Sequence, residues 1–156
     1  MVSRSNSRAR SDIDTNFTIV PATWLRDREA LQQIRRAVFI VEQGVPEYEE
    51  WDNADLTCVH VLILKGKRDA VGTGRLEPTG KIGRLAVLDT YRGLGLGSEL
   101  LEWLVAQARR QGLESVYLHA QLQALPFYLR HSFLPQGPVF DEVGIPHQRM
   151  SRKLIT

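Results

Sequence analysis

Apolar residues at helical spacing predict two long helices and one short helix in this chain. The first covers residues 25–41. Its predicted apolar face consists of Leu31, Ile34, Val38 and Val41. The second covers residues 98–110, where apolar residues form one continuous stripe, and Gly112 follows at the position of a C-terminal cap. Residues 124–131 are predicted to form the short helix.

Short apolar runs separated by turn residues predict seven strands. They lie at residues 17–20, 58–64, 70–76, 81–88, 115–120, 133–140 and 148–155. Residues 43–55 contain Gly44, Pro46 and five acidic residues, and they are predicted to form a loop with room for a short helix. The order of these elements predicts a mixed α/β fold, in which a central sheet of six to seven strands carries helices on both faces.

Length and composition are those of an ordinary soluble globular protein. The 156 residues provide one domain, residues 16–156, after a Ser/Arg-rich segment 1–15 that is predicted to be disordered. No apolar run approaches the ~20 residues of a membrane span. The net charge of +2 is too small to indicate a nucleic-acid partner, and no spacing typical of a metal site is present. The single Cys58 excludes an internal disulfide and is compatible with a reducing cytoplasm.

The segment that indicates a binding site is Arg-Gly-Leu-Gly-Leu-Gly at residues 92–97. It lies between the predicted strand at residues 81–88 and the second predicted helix. Three glycines at alternate positions let the backbone turn tightly and approach a ligand without an intervening Cβ atom. Amides in such a turn, at the N-terminus of a helix, form an anion site that the helix dipole strengthens. The segment predicts a phosphate-binding loop, although a tight turn without a ligand would show the same glycines.

The glycine spacing excludes two common phosphate loops. The Walker pattern requires Gly, four residues and Gly-Lys before Ser or Thr, but Ile82 follows Gly80-Lys81 and residue 75 is Arg. The dinucleotide pattern requires a third glycine three residues after the second, where this chain has Ser98 or Leu100. A nucleotide-binding module of another fold is therefore disfavoured.

The spacing that does fit is Arg-x-x-Gly-x-Gly, which resembles the acetyl-CoA loop of the GNAT family of N-acetyltransferases, and the predicted order of elements matches the fold of that family. Three further segments resemble its ElaA/YjcF-like branch. They are residues 36–43 (RAVFIVEQ), Ala120-Gln121 with Pro126-Phe127-Tyr128, and Gly144-Ile145-Pro146-His147 with Met150. Two positions depart from the branch: His119 stands where Asn is often found, and Ser132 stands where a Gly-Phe pair is usual.

This resemblance implies acetyl-CoA as the cosubstrate, without a metal. In the family, the fourth strand splays from the fifth, and the pantetheine arm of the cofactor pairs with backbone in the gap. The pyrophosphate lies on the glycine loop and is held mainly by amides. Carried over to this chain, the implied cofactor contacts are Leu85, Ala86, Val87, Arg92, Gly93, Leu94, Gly95, Leu96, Gly97, Ser98, His119 and Tyr128.

The resemblance also suggests the groups that move protons. Tyr128 is the candidate general acid, because a phenol with a reference pKa of about 10 can protonate a leaving thiolate. Glu42 is the candidate base, because the family signature places it beside the acceptor cleft. Its rivals are His60, His119, Glu142 and His147. Acceptor contacts are expected from Glu42, His60, Arg75, Gln121, Glu142 and His147.

Charged residues near the expected acceptor site leave two alternatives open. Arg75 and Arg84 either pair with buried acids or bind a carboxylate of the acceptor. The acids among residues 47–55 either attract a cationic acceptor or are simply solvated.

The predicted function is an N-acetyltransferase that moves an acetyl group from acetyl-CoA to a primary amine of a small molecule or peptide, by direct transfer in a ternary complex. The alternative is a non-catalytic acyl-CoA-binding sensor or interaction domain, and the presence of Tyr128 and Glu42 favours the enzyme. The protein is expected in the cytoplasm, without a nucleic-acid or membrane partner. The acceptor and the oligomeric state, including a homodimer, are left open.

Overall fold

Seven strands and four α-helices make up residues 16–155, the part of the chain that the computed structural model describes. The strands are β1 (Phe17–Ala22), β2 (Val59–Lys65), β3 (Asp69–Leu76), β4 (Ile82–Val87), β5 (Ser115–Gln121), β6 (Leu134–Glu142) and β7 (Ile145–Lys153). The helices are α1 (Trp24–Arg35), α2 (Glu47–Glu50), α3 (Leu96–Arg110) and α4 (Leu125–Arg130). The segment 1–15, predicted to be disordered, lies outside the described residues.

The strands form two antiparallel sheets that meet at one point. One sheet has the order β1-β2-β3-β4, and the other has the order β5-β7-β6. Within residues 16–155, a parallel bridge between Lys81 and Tyr117 is the only backbone pairing between the two sheets. The predicted order of elements and the divergence of the fourth strand from the fifth are both observed. The sheet, however, is two sheets with a gap between β4 and β5.

Helices cover both faces of the first sheet, as the element order predicts. Alternate residues of β2 point to opposite sides. Val61 and Ile63 belong to the core cluster that contains the apolar stripe of α3, whereas Leu62 belongs to the cluster that contains the apolar face of α1. None of the helices in residues 16–155 is long and apolar enough to cross a membrane.

The predicted helix 25–41 is divided between two kinds of helix. α1 ends at Arg35, and Arg36–Glu42 continues it as a π-helix. Here the Gln43 amide donates to the carbonyl oxygen of Val38, five residues back. Because a π-turn contains more residues than an α-turn, Val41 is rotated away from the buried face and is 74% exposed, while Val38 stays buried. The assignment of Val41 to the apolar face is wrong for this reason.

The hairpin of β6 and β7 begins its second strand earlier than the sequence pattern predicts. The predicted strand 148–155 instead starts at Ile145 and ends at Lys153. Val143 and Gly144 form the two-residue turn with φ angles of 47° and 76°, as in a type I′ turn. Pro146 is typical of a turn, so the sequence pattern predicts a strand that starts after it. In the structure, Pro146 pairs with Asp141 and lies inside β7.

Buried ion pairs attach the loop of residues 43–55 to α1. The Arg35 side chain is 1% exposed; its Nε lies 2.9 Å from Glu50, and its Nη1 lies 2.8 Å from Asp55. Arg35 Nη2 also donates to the carbonyl oxygen of Glu50 at 3.1 Å. Burial raises the pKa of Glu50, and the facing arginines oppose this effect. These contacts fix the path of the loop.

Two arginines of the first sheet complete this network. Arg75 on β3 lies 2.8 Å from both Asp52 and Asp55. Arg84 on β4 lies 2.9 Å from Glu50. The hydrogen bonds from Arg75 hold the pKa of Asp52 well below its usual range. Both arginines therefore pair with acids of the loop, and these acids are structural partners instead of solvated charges.

The buried network predicts a large difference between two neighbouring arginines. Arg35→Met should lower the free energy of unfolding by about 3–5 kcal/mol, because it leaves buried Glu50 and Asp55 undercompensated. Arg36→Met is the control, since the Arg36–Glu47 pair is exposed and its loss should cost far less. Urea denaturation of both variants measures the difference. Equal losses would contradict a special contribution from the buried pairs.

Candidate active site

The glycine loop places a set of free backbone amides at the N-terminus of α3. Gly95 caps the helix in the left-handed region with a φ of 82°, and Gly93 has a φ of 81°. The Glu99 amide donates to the Gly95 carbonyl oxygen. Among the described residues, the amides of residues 93–98 donate to no backbone carbonyl. These amides are available to an anion, and the helix dipole favours one here.

A cavity of about 590 Å³ is lined by this loop, by β4 and by α4. We call it the cofactor cavity. The predicted cofactor contacts line it with two exceptions, Leu94 and His119. One edge of β4 pairs with β3, for example through Ala86 and Thr73, and the opposite edge faces the gap toward β5. Backbone groups along that free edge can hydrogen bond to an extended ligand.

A second cavity of about 410 Å³, the acceptor cavity, is lined by β4, by the loop of residues 43–55 and by the second sheet. The sequence-predicted residues that line it are Arg84, Leu85, His119, Gln121, Tyr128, Glu142 and His147. The π-helix contributes Phe39, and Gln43 follows it; the Gln43 Oε1 accepts from Gln121 Nε2 at 2.9 Å. Phe39 and Gln43 both lie in the RAVFIVEQ segment, in which Glu42 is the only predicted acceptor contact. In residues 16–155, no group of three or more His, Cys, Asp or Glu side chains could hold a metal ion.

Tyr128 lines both cavities, together with Leu85 and Ala124. The Tyr128 ring packs against Phe127 and Phe133, with ring centroids 5.0 Å and 6.0 Å apart. Burial raises the pKa of Tyr128 to about 12. The phenol is therefore protonated at neutral pH, and α4 holds a proton donor where the two cavities meet.

Glu42 lies beside the cofactor loop and lines neither cavity. The Glu42 carboxylate accepts two hydrogen bonds from Arg92, at 2.6 Å and 2.8 Å. Arg92 Nε donates to the Val87 carbonyl oxygen at 2.9 Å. The bond to Arg92 lowers the pKa of Glu42, which makes it a weaker base. A catalytic role for Glu42 stays a prediction.

His60 and Arg75 are buried and also lie outside both cavities. His60 Nε2 donates to the carbonyl oxygen of Asp55 at 2.8 Å, and burial lowers the pKa of His60. Arg75 belongs to the ion-pair network described above. Both act as structural groups here, and direct contact of either with an acceptor stays a prediction.

An unpredicted relay of hydrogen bonds ends beside the glycine loop, at Ser98. Ser98 Oγ lies 2.8 Å from His131 Nε2, and His131 Nδ1 lies 2.7 Å from Glu102 Oε2. Because the carboxylate accepts the Nδ1 hydrogen, Nε2 of a neutral imidazole accepts the Ser98 hydroxyl. Arg152 donates to both Glu102 and the His131 carbonyl oxygen. The relay thus fixes the Ser98 side chain in the cofactor cavity, and only the Ser98–Glu102 spacing on α3 hints at it in the sequence.

Comparison with known proteins indicates one family. Residues 29–154 match the family described as "Acetyltransferase (GNAT) domain". Protein ElaA of Escherichia coli is 36% identical over 135 residues, which cover 81% of this chain and 87% of ElaA. The uncharacterized N-acetyltransferase YjcF of Bacillus subtilis is 34% identical over 123 residues, which cover 76% of this chain and 87% of YjcF.

Solved structures give the same result. The crystal structure of Escherichia coli ElaA matches with a TM-score of 0.78 and 30% identity, covering 87% of this chain and 99% of that chain. An acyl-CoA N-acyltransferase from Pseudomonas aeruginosa matches with a TM-score of 0.77 and 30% identity, also covering 87% of this chain and 99% of that chain.

The cofactor loop predicts a specific effect of Gly95→Ala. An L-residue in the left-handed region costs about 1–2 kcal/mol, and relief of that strain would turn the loop amides away from the ligand. Affinity for CoA should fall roughly tenfold, as measured by isothermal titration calorimetry. Gly112→Ala is the matched control, because Gly112 has a φ of 79° and open surroundings but lies at the other end of α3. It should lose similar stability and keep its affinity. Equal affinity losses in both variants would show that the effect is not local to the loop.

Proposed function

We propose the following function for this chain, which belongs to the GNAT acetyltransferase family. It transfers an acetyl group from acetyl-CoA to a primary amine in a ternary complex. Family membership and the acyl-CoA N-acyltransferase neighbour imply an acyl-CoA cosubstrate. The observation that carries the proposal is that Tyr128 lines both the cofactor cavity and the acceptor cavity. A thioester in one cavity and an amine in the other would meet beside this side chain.

The proposed cofactor position follows the free edge of β4 and the amides of the glycine loop. The loop amides and the dipole of α3 favour the pyrophosphate. The unpaired edge of β4, at residues 85–87, provides donors and acceptors for the pantetheine amides. Ser98, held by His131, adds a side-chain oxygen to the same wall. These contacts bring the thioester toward Tyr128.

The proposed reaction needs little covalent assistance from the protein. A neutral amine attacks the thioester carbon, and rate is gained mainly by holding the two reactants in attack geometry. As the carbon–sulfur bond breaks, the leaving thiolate needs a proton or a hydrogen bond. Tyr128 fits this role because burial keeps its hydroxyl protonated well above neutral pH.

The acceptor cavity supports a small or terminal primary amine as the substrate. Its volume of about 410 Å³ suits a metabolite-sized group or the end of a peptide. Glu49 and Glu142 line it and favour a cationic amine, while Glu50 is already neutralised by Arg35 and Arg84. Glu49 and Glu142 are therefore the carboxylates of this cavity that can attract the acceptor.

A thiol-release assay with a panel of amines tests the proposal and separates it from the sensor alternative. The panel contains butylamine, spermidine, tyramine and glycylglycine, each combined with acetyl-CoA, propionyl-CoA or butyryl-CoA. Amine-dependent release that is fastest with acetyl-CoA supports an acetyltransferase. Tight binding of acetyl-CoA without release for any amine in the panel would favour the non-catalytic acyl-CoA sensor.

Tyr128→Phe tests the general acid directly. It keeps the packed ring and removes only the hydroxyl, so kcat should fall by about 10²–10⁴-fold while the Kd for acetyl-CoA changes little. Steady-state kinetics and calorimetry measure the two effects. Tyr48→Phe is the matched control, because Tyr48 is 80% exposed and lines neither cavity. A wild-type kcat for Tyr128→Phe, where chemistry limits turnover, would leave Tyr128 as a packing residue.

A further inference from the structure

We propose that His119 is the general base of this enzyme and that Glu142 positions it. The inference rests on the proposed function and names the residue that takes the proton of the acceptor amine. It is carried by the hydrogen bond between His119 and Glu142 on a wall of the acceptor cavity, the cavity that Tyr128 also lines. Glu42, which sequence reasoning favoured as the base, is held instead by Arg92.

The register of the second sheet brings the two side chains to one face. Residues directly opposite each other on antiparallel strands point to the same side. Gln121 on β5 pairs with His147 on β7, which pairs with Phe140 on β6. His119 and Glu142 each lie two residues from a member of this row, and so they share its face. β7 lies between β5 and β6 in this sheet, and the side chains of His119 and Glu142 meet across it.

The hydrogen bond fixes the tautomer of His119. Its Nδ1 lies 2.9 Å from Glu142 Oε1. A carboxylate oxygen accepts, so Nδ1 must carry the hydrogen, and Nε2 of the neutral ring then keeps a lone pair. Among residues 16–155, Nε2 of His119 has no hydrogen-bond partner. The ring is also fixed from the side by Phe140, whose centroid lies 5.0 Å away.

The other candidates for the base are less suitable in this arrangement. His147 Nδ1 donates to the Ile145 carbonyl oxygen at 2.6 Å. His147 Nε2 is 3.9 Å from Glu142, beyond hydrogen-bond distance, and the residue is only 5% exposed. His60 is buried outside the cavity. His119 therefore combines a fixed tautomer, a free ring nitrogen and access to the cavity.

Glu142 is the one charged group that hydrogen bonds to the His119 ring in the described part of the chain. The other titratable or charged groups around this part of the cavity are Tyr117 on β5, His147 and Arg149 on β7, Tyr128 on α4, Glu49 and Glu50 on α2, Arg84 on β4 and Lys81 just before it. An imidazolium formed during the reaction would be balanced directly by the Glu142 carboxylate, as an acidic partner does for a catalytic histidine.

The proposed step balances in bonds and protons. The amine nitrogen forms a bond to the thioester carbon, and the carbon–sulfur bond breaks. One proton of the attacking nitrogen passes to Nε2 of His119. The departing thiolate takes a proton from the Tyr128 hydroxyl. The His119 imidazolium then loses its proton to solvent and Tyr128 regains one, which restores the enzyme with an amide and free CoA as products.

The proposed base lies at one of the two positions at which this chain departs from the ElaA/YjcF-like branch. An Asn, often found at this position in the ElaA/YjcF-like branch, can hydrogen bond but cannot accept a proton from the amine. The His at this position gives the chain a base in the acceptor cavity, and Glu142 selects its reactive nitrogen.

The kinetic test compares the parent with His119→Asn and His119→Gln, using the panel amine that gives the fastest release. Both variants should lose about 10²–10⁴-fold in kcat/KM for the amine and keep the Kd for acetyl-CoA. In the parent, log(kcat/KM) should fall at low pH with a limiting slope of about two, because both base and amine must be deprotonated. The slope should be about one in the variants. A purely structural residue would not change this slope.

The spectroscopic test needs no acceptor. Long-range ¹H–¹⁵N correlation spectra report which ring nitrogen of each histidine is protonated, and His119→Asn assigns the signal. The expected tautomer of His119 at neutral pH carries its hydrogen on Nδ1. In Glu142→Gln the amide can donate instead, so the hydrogen should move to Nε2 and kcat should fall by up to about 10⁴-fold.

The outcomes separate this inference from the proposed function. Transfer by the parent, together with an unchanged rate and slope in the folded His119 variants, would overturn the role of His119 and leave the acetyltransferase standing. An Nε2–H tautomer of His119 in the parent would also overturn it. Absence of transfer by the parent with every amine and acyl-CoA would overturn the proposed function and this inference with it.

Discussion

The divergence of β4 from β5 after the Lys81–Tyr117 bridge is the constraint on which the rest of this structure depends. Two strands that pair once and then separate leave facing edges without hydrogen-bond partners, which is unfavourable unless another group occupies the gap. Both cavities are lined by residues of β4, and Tyr128 on α4 lies where the two cavities meet. The gap is therefore the one backbone feature that provides both the proposed binding edge for the cofactor and the proposed meeting point of the two substrates.

A buried charge network anchors the loop of residues 43–55 on the acceptor side of this gap. Arg35, Arg75 and Arg84 come from a helix and two strands, and all three contact acids of one loop. Buried ion pairs contribute little net stability compared with apolar packing, but they are costly to break. In this chain, they hold Glu50 at the cavity wall beside Arg84, while the second sheet supplies His119, Gln121, Glu142 and His147. The polar lining of the cavity follows from this division.

The sequence predicted the order of elements, the family and the glycine loop because these depend on local patterns. The stripe of α3 and the alternation of glycines in residues 92–97 are visible within a few residues. Features set by distant contacts were not predictable in this way. The π-helix that exposes Val41, the Glu42–Arg92 pair across 50 positions and the His119–Glu142 bond across 23 positions depend on which elements meet in the fold. The sequence motif suggested Glu42 as a base, but the motif does not show that Arg92 is the hydrogen-bond partner of Glu42.

The Glu42–Arg92 pair connects the two sides of the site. Glu42 is the last residue of the π-helix, and Arg92 is the first residue of the glycine loop. Phe39 within the π-helix and Gln43 just after it line the acceptor cavity. Both side chains are more than a third exposed, so the pair contributes modestly to stability. Its two parallel hydrogen bonds nevertheless set a fixed distance between helix and loop. In the proposed enzyme, an Arg–carboxylate fork of this kind would align the cofactor loop with the acceptor wall.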